Sequence, residues 1–118
     1  KQIGKFQSLA NRIVDMRVRL DTSRPLVYRI GRLKEQGKSA VIEASIAKLH
    51  VSEALVASLL DAVQVSGGSG YITAGTDATV DTVVNRALER DLRDAVSSTL
   101  YSGTSEIQRN IIAKCLGL

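Results

Sequence analysis

Aromatic side chains are scarce in this chain of 118 residues: Phe6, Tyr28, Tyr71 and Tyr101 make 3%, and tryptophan is missing altogether. Without large rings, a core has to be assembled from Val, Ile, Leu and Ala, which suits closely packed helices. Proline occurs once, at Pro25, and cysteine once, at Cys115. One cysteine excludes a disulfide framework and any cysteine zinc spacing. An unpaired thiol fits a reducing, cytoplasmic setting. His50 is the only histidine and lies in a strongly apolar stretch, so a Cys–His pair has no local support and a buried structural Cys115 is expected. No stretch free of charge is long enough to span a bilayer, and the N-terminal residues have no signal-peptide pattern.

One-sided charge is lacking too. The net charge is only +4, with acids and bases interleaved. Arginine does gather near the start, at Arg12, Arg17, Arg19, Arg24, Arg29 and Arg32. A solvated or partner-facing helix face is the plain reading. Nucleic-acid contact is the sharper one, but no binding motif accompanies these arginines, and no nucleic-acid partner is expected.

What is present is helical periodicity. Leu9, Ile13, Met16 and Leu20 recur at steps of four, three and four, and Val27, Ile30 and Leu33 continue the stripe. A first helix is expected from about Phe6 to Gln36, kinked at Pro25 and stopped by Gly37. Ser39 should open a second helix running from Ala40 to Val65. Its two apolar faces, Ile42–Ile46–Leu49 and Leu55–Leu59–Val63, and its many alanines mark it as central and buried. "QVSGGSGY", Gln64 to Tyr71, then breaks the pattern; three glycines in four positions allow positive φ and close approach to the backbone. A third helix should run from Asp77 or Thr79 to Val96, with pairs Glu89–Arg93 and Arg90–Asp94 on its charged side. Ser105 opens the last helix, with Gln108 completing a Ser-x-x-Gln capping box and Ile107, Ile111 and Leu116 facing inward. The economical fold is all-α, an antiparallel up-down-up-down four-helix bundle.

Two stretches go beyond a generic bundle. "QVSGGSGY" and "LRDAVSSTLYSGTSEIQRNIIAKCLGL" resemble the C-terminal helical domain of the acyl-CoA dehydrogenases. The matching residues are Gln64, Gly67, Gly68, Gly70 and Tyr71, then Arg93, Asp94 and Ala95, then Tyr101 and Gly103 to Arg109, in order. The resemblance covers essentially the whole chain, with about Thr73 to Val84 longer than usual. It implies an FAD enzyme that desaturates an acyl-CoA thioester between its α and β carbons, passes electrons to an electron-transferring flavoprotein, and assembles as a dimer or tetramer. By the same resemblance Gln64, Val65, Ser66, Gly67 and Gly68 reach the flavin of a neighbouring subunit, with Phe6 and Gln7 as further contacts. Thr104 and Glu106 lie near the chain's own FAD, and Tyr101 and Gly103 near the acyl thioester. No metal is implied.

The resemblance breaks at one position. Many family members place a glutamate between the tyrosine and the glycine to take the α-proton; here that residue is Ser102. A serine hydroxyl cannot act so without a base of its own, and none is close in sequence. Either a glutamate on a helix preceding Lys1 supplies the base, or the active site is vestigial beside a competent partner. Retention of the flavin-facing residues favours the first. The family's N-terminal helical and middle β domains, and its FAD arginine before F-G, have no counterpart in residues 1–118. The expectation is one C-terminal domain of a larger enzyme, inactive alone. A free-standing helical interaction module is the competing expectation, separated by whether the reading frame continues upstream with an Arg and "FG".

Overall fold

The computed structural model describes residues 2–72 and 85–118. After a 3-10 turn at Ile3–Lys5 come helix α1 (Gln7–Glu35), helix α2 (Val41–Ser66), a 3-10 turn at Gly67–Gly70, helix α3 (Asn85–Ser98) and helix α4 (Ser105–Leu116). Among the described residues there is no strand, and no helix is long and apolar enough to cross a membrane.

The ends of α1 follow from its sequence. Pro25 lies inside the helix without ending it. Gly37 stops it at φ +66°, where the Gly37 N–H reaches the Lys34 carbonyl at 3.0 Å and the Lys38 N–H reaches that of Leu33 at 2.9 Å. This pair of bonds is a Schellman stop, and it needs a left-handed residue. The start of α2 differs from expectation. Ala40, not Ser39, is its N-cap, and makes no side-chain cap bond. Ala40 is buried, so packing selects the alanine there over a capping hydroxyl. The proposed start of the third helix, with Val80, Val83 and Val84, lies outside the described residues. Within α3, Glu89 and Arg93 pair at 2.8 Å, but Arg90 turns to Asp91 at 3.9 Å rather than to Asp94.

Helix α2 is the hub, touching α1, α3 and α4, whereas among the described residues α1 meets neither α3 nor α4. Polar cross-links set the directions. Arg12 and Arg19 both donate to the carboxylate of Asp61 at 2.6 Å, and Arg29 reaches Glu43 at 3.2 Å, so α1 runs antiparallel to α2. Lys48 meets Gly103 and Glu53 meets Arg109, so α4 runs in the same sense as α2. Three of the clustered arginines are therefore spent on acids of α2. The Arg19 hydrogen bond, joined by that of Arg12, holds the Asp61 carboxyl below the usual carboxylate range.

The core is thin. Among the described residues the buried apolar ones are Ala40, Ala47 and Ala95, and no large side chain is fully enclosed. Three of the seven expected α1 stripe residues, Ile13, Leu20 and Val27, are exposed, because among the described residues α1 has one α-helical neighbour. Met16 and Leu20, with Val51 and Leu55 of α2, line an open apolar groove of about 300 Å³. Helix α2 is central but not enclosed: Ile46, Leu55 and Leu60 are exposed. In α4, Ile107 is 48% and Leu116 62% exposed, contrary to their expected inward facing. Cys115 is exposed as well, correcting the expectation of a buried thiol.

Candidate functional site

The segment entering α4 is built from backbone turned the unusual way. After α3, Tyr101 N–H still bonds back to the Ser97 carbonyl at 3.1 Å. Ser102 then takes φ +56° and Gly103 φ +90°, both left-handed. Ser102 is the one non-glycine residue with positive φ among those described. Such a conformation costs about 1–3 kcal/mol and persists only where the surroundings enforce it. A Cβ at Gly103 would in addition lie 2.7 Å from Gln108 Nε2, so the amide end of that side chain would have to shift.

Two side chains hold this turn by its carbonyls. Lys48 Nζ of α2 donates to Gly103 O at 2.7 Å. Gln108 Nε2 donates to Ser102 O at 3.1 Å and to Gly103 O at 3.4 Å. In a trans peptide the N–H points opposite to the C=O. The N–H groups of Gly103 and Thr104 therefore face away from Gln108 and Lys48, and among the described residues they find no acceptor. Consecutive unpaired amides of this kind form a concavity suited to an anion or a carbonyl oxygen.

The first turn of α4 adjoins it. Thr104 is the N-cap, its hydroxyl accepting from the Ile107 N–H at 3.4 Å. The nearby backbone N–H of Glu106 and the Thr104 hydroxyl favour the charged Glu106 carboxylate and keep its carboxyl below the ordinary value. The expected capping box is thereby corrected. With Thr104 as cap, Gln108 falls one place too late to close the box, and it turns back to the carbonyls of the strained pair. Ser105 is the first helical residue, 7% exposed, and its hydroxyl is buried without a partner. Ser102 is exposed, and among the described residues its hydroxyl makes no hydrogen bond to an acid or an imidazole.

The second group of sequence-predicted residues lies elsewhere. Gln64, Val65 and Ser66 end α2, and Gly67 to Gly70 form a tight 3-10 turn rather than an open loop. Each glycine has its own reason. Gly67 has φ +62°; Gly70 packs so closely that a Cβ would sit 2.8 Å from Ser66 Cβ; Gly68 faces open space. By the antiparallel register, Phe6 and Gln7 at the start of α1 stand at this same end of α2. The α4 turn is anchored at Lys48, eighteen residues back along α2, or about 27 Å at 1.5 Å per residue. The two groups are thus separate in one chain. Lys48 and Gln108 were missed as site residues; the available signal was a lysine in an otherwise apolar stretch of the central helix.

A family model for the acyl-CoA dehydrogenase C-terminal domain matches residues 1–117. The chain belongs to the acyl-CoA dehydrogenase family. An L-prolyl-[peptidyl-carrier protein] dehydrogenase of Serratia sp. is 41% identical over 118 residues, covering 100% of this chain and 28% of the relative. The CarC subunit of the caffeyl-CoA reductase–Etf complex of Acetobacterium woodii is 36% identical over 116 residues, 98% of this chain and 28% of that protein. Among solved structures, the prolyl acyl carrier protein oxidase AnaB superposes with a TM-score of 0.87 at 46% identity, over 100% of this chain and 28% of AnaB. The FAD complex of PigA gives 0.83 at 41% identity, over 100% of this chain and 28% of PigA. The chain thus spans a little over a quarter of the length of these dehydrogenase-family relatives.

Proposed function

We propose that residues 1–118 are the C-terminal helical domain of an FAD-dependent acyl-thioester dehydrogenase, with N-terminal helical and middle β domains in the remainder of the protein. The observation that carries this reading is the turn at Ser102–Thr104, whose two outward amides stand beside the capped start of α4. Bound FAD would supply the two-electron acceptor for α,β-desaturation. Thr104 and Glu106 offer a hydroxyl and a carboxylate to its polar groups, at a helix start suited to polar or anionic ligand atoms. Tyr101 and Gly103 flank the place for the thioester. The Gln64–Gly68 turn, with Phe6 and Gln7, is too far from this site to serve it and presents open backbone at Gly67 and Gly68 to a neighbouring subunit's flavin.

The general base is not in this domain, because Ser102 has no group to accept its proton. A glutamate upstream completes the site; a vestigial subunit is the alternative outcome. The exposed apolar faces of α1, α2 and α4 serve the oligomer interface and complete an up-down-up-down bundle there, as a homodimer or homotetramer. The acyl carrier is coenzyme A or a carrier protein, and the similarity to prolyl-carrier enzymes favours an acyl group such as prolyl on a carrier protein. An electron-transferring flavoprotein is the acceptor for the acyl-CoA case, and the setting is cytoplasmic.

The full-length protein, loaded with FAD, should lose its visible flavin band when given prolyl-carrier protein or a short acyl-CoA without oxygen. Flavin that stays oxidised with every thioester offered would sink the dehydrogenase reading and leave a helical interaction module. The isolated domain should retain no flavin after gel filtration.

A further inference from the structure

The Lys48–Gly103 contact has no counterpart in the residues that the resemblance brings to the site. Lys48 is half-buried on α2 and, among the described residues, enters no ion pair. A half-buried ammonium without a carboxylate is costly to keep, and here it serves one backbone carbonyl. That carbonyl belongs to the peptide whose N–H, on Thr104, is one of the two outward amides. Gln108 shares the carbonyl only at 3.4 Å, a marginal distance, so Lys48 is its principal anchor. Gln108 also belongs to α4 itself and would move with it. Among the described residues, Lys48 is the one side chain of a different helix that hydrogen-bonds the turn.

We propose that Lys48 is a positioning residue for the thioester site: its ammonium, reaching from α2, sets the plane of the Gly103–Thr104 peptide and so aims the unpaired amides at the ligand oxygen. The inference rests on the dehydrogenase reading above and adds a residue to it. Lys48 touches neither substrate nor flavin; it acts through the backbone it holds. Preorganised donors owe their effect to being fixed before the charge develops. Loosening the anchor should therefore lower the rate of the chemical step more than the affinity for substrate.

The test uses the full-length flavoprotein with Lys48→Met, which keeps the apolar stem and removes the donor, and Lys48→Arg, which keeps a cationic donor. Lys48→Met should retain one FAD per chain and reduce the rate of flavin bleaching by thioester roughly ten- to a hundred-fold with KM changed less than about three-fold, and Lys48→Arg should recover most of the loss. Amide exchange at Ser105, whose N–H bonds across the turn to the Thr99 carbonyl, should speed up in Lys48→Met while exchange in mid-α2 stays unchanged. Wild-type turnover matched by Lys48→Met overturns the positioning role and leaves the dehydrogenase reading standing. A Lys48→Met rate loss with no local change in exchange, or with no recovery in Lys48→Arg, overturns it too. A wild-type protein that bleaches with no thioester overturns both.

Discussion

Ser102 and Gly103 hold left-handed backbone for different reasons, and the difference can be measured. Gly103 combines φ +90° with a virtual Cβ 2.7 Å from Gln108 Nε2. Gly103→Ala should cost about 1–3 kcal/mol in a urea melt, through both strain and displacement of the Gln108 anchor. At the other end of α2, Gly68 and Gly70 make an internal control. Gly70→Ala must push Ser66 Cβ and the Val63 backbone aside and should destabilise the domain, whereas Gly68→Ala meets nothing within 4 Å among the described residues. Gly68→Ala should leave the melting point within a degree or two while weakening FAD retention by the assembled enzyme. Equal melting of the two variants would contradict the assignment of Gly70 to packing and Gly68 to a neighbour. Asp61 offers a pH test. Its carboxyl is held below the ordinary value by Arg19 and Arg12, so the unfolded chain binds the proton more tightly than the folded one. Stability from this site is full above the unfolded value near pH 4 and is lost as pH falls through the lower folded value. Asp61→Asn should remove that acid-side slope and cost roughly 1–3 kcal/mol at neutral pH, by leaving two arginines facing each other.

At the scale of the element, the start of α4 shows why a capping pattern can mislead by one residue. Ser105 and Gln108 have the spacing of a capping box, yet Thr104 takes the cap because extended backbone at φ −63° and ψ 166° falls there. The strained pair just before Thr104 decides where extended backbone resumes, and no local propensity encodes that. Thr104→Ala should therefore lose about 1 kcal/mol by thermal melting. Ser105→Ala removes a buried hydroxyl that has no partner and should be neutral or slightly stabilising. The reverse order would return the cap to Ser105. The ends of α1 and α2 were legible within a residue, since the Gly37 stop and the α2 break at Gly67 need left-handed backbone that glycine supplies. The Ala40 start was not legible, because burial, not capping chemistry, chose it.

At the scale of the molecule, the described helices form an elongated body rather than a compact one. Its radius of gyration is 17.6 Å and its extents 53 × 29 × 28 Å, against about 13–14 Å expected for a compact chain of this length. Exposed Ile13, Val18, Val27, Leu55, Leu60 and Ile107 lie on three helices. Apolar surface on this scale marks contact with other protein. The isolated chain should therefore self-associate, with a sedimentation coefficient that rises with concentration. A monodisperse monomer at high concentration would mean that the remaining domains, rather than a second copy, cover these faces.

Amino-acid order by itself determined the helical class, most helix limits and the two motif stretches, because 3.6-residue periodicity, glycine stops and contiguous motifs are local properties. It also set a serine at position 102, between the tyrosine and the glycine of the second motif, since that is a matter of residue identity alone. Tertiary structure decided which apolar positions are covered, because coverage depends on how many neighbours each helix has. It separated the two predicted groups of site residues along α2. It brought Lys48 to Gly103 across fifty-five positions of sequence, a contact that exists only once α4 is laid along α2.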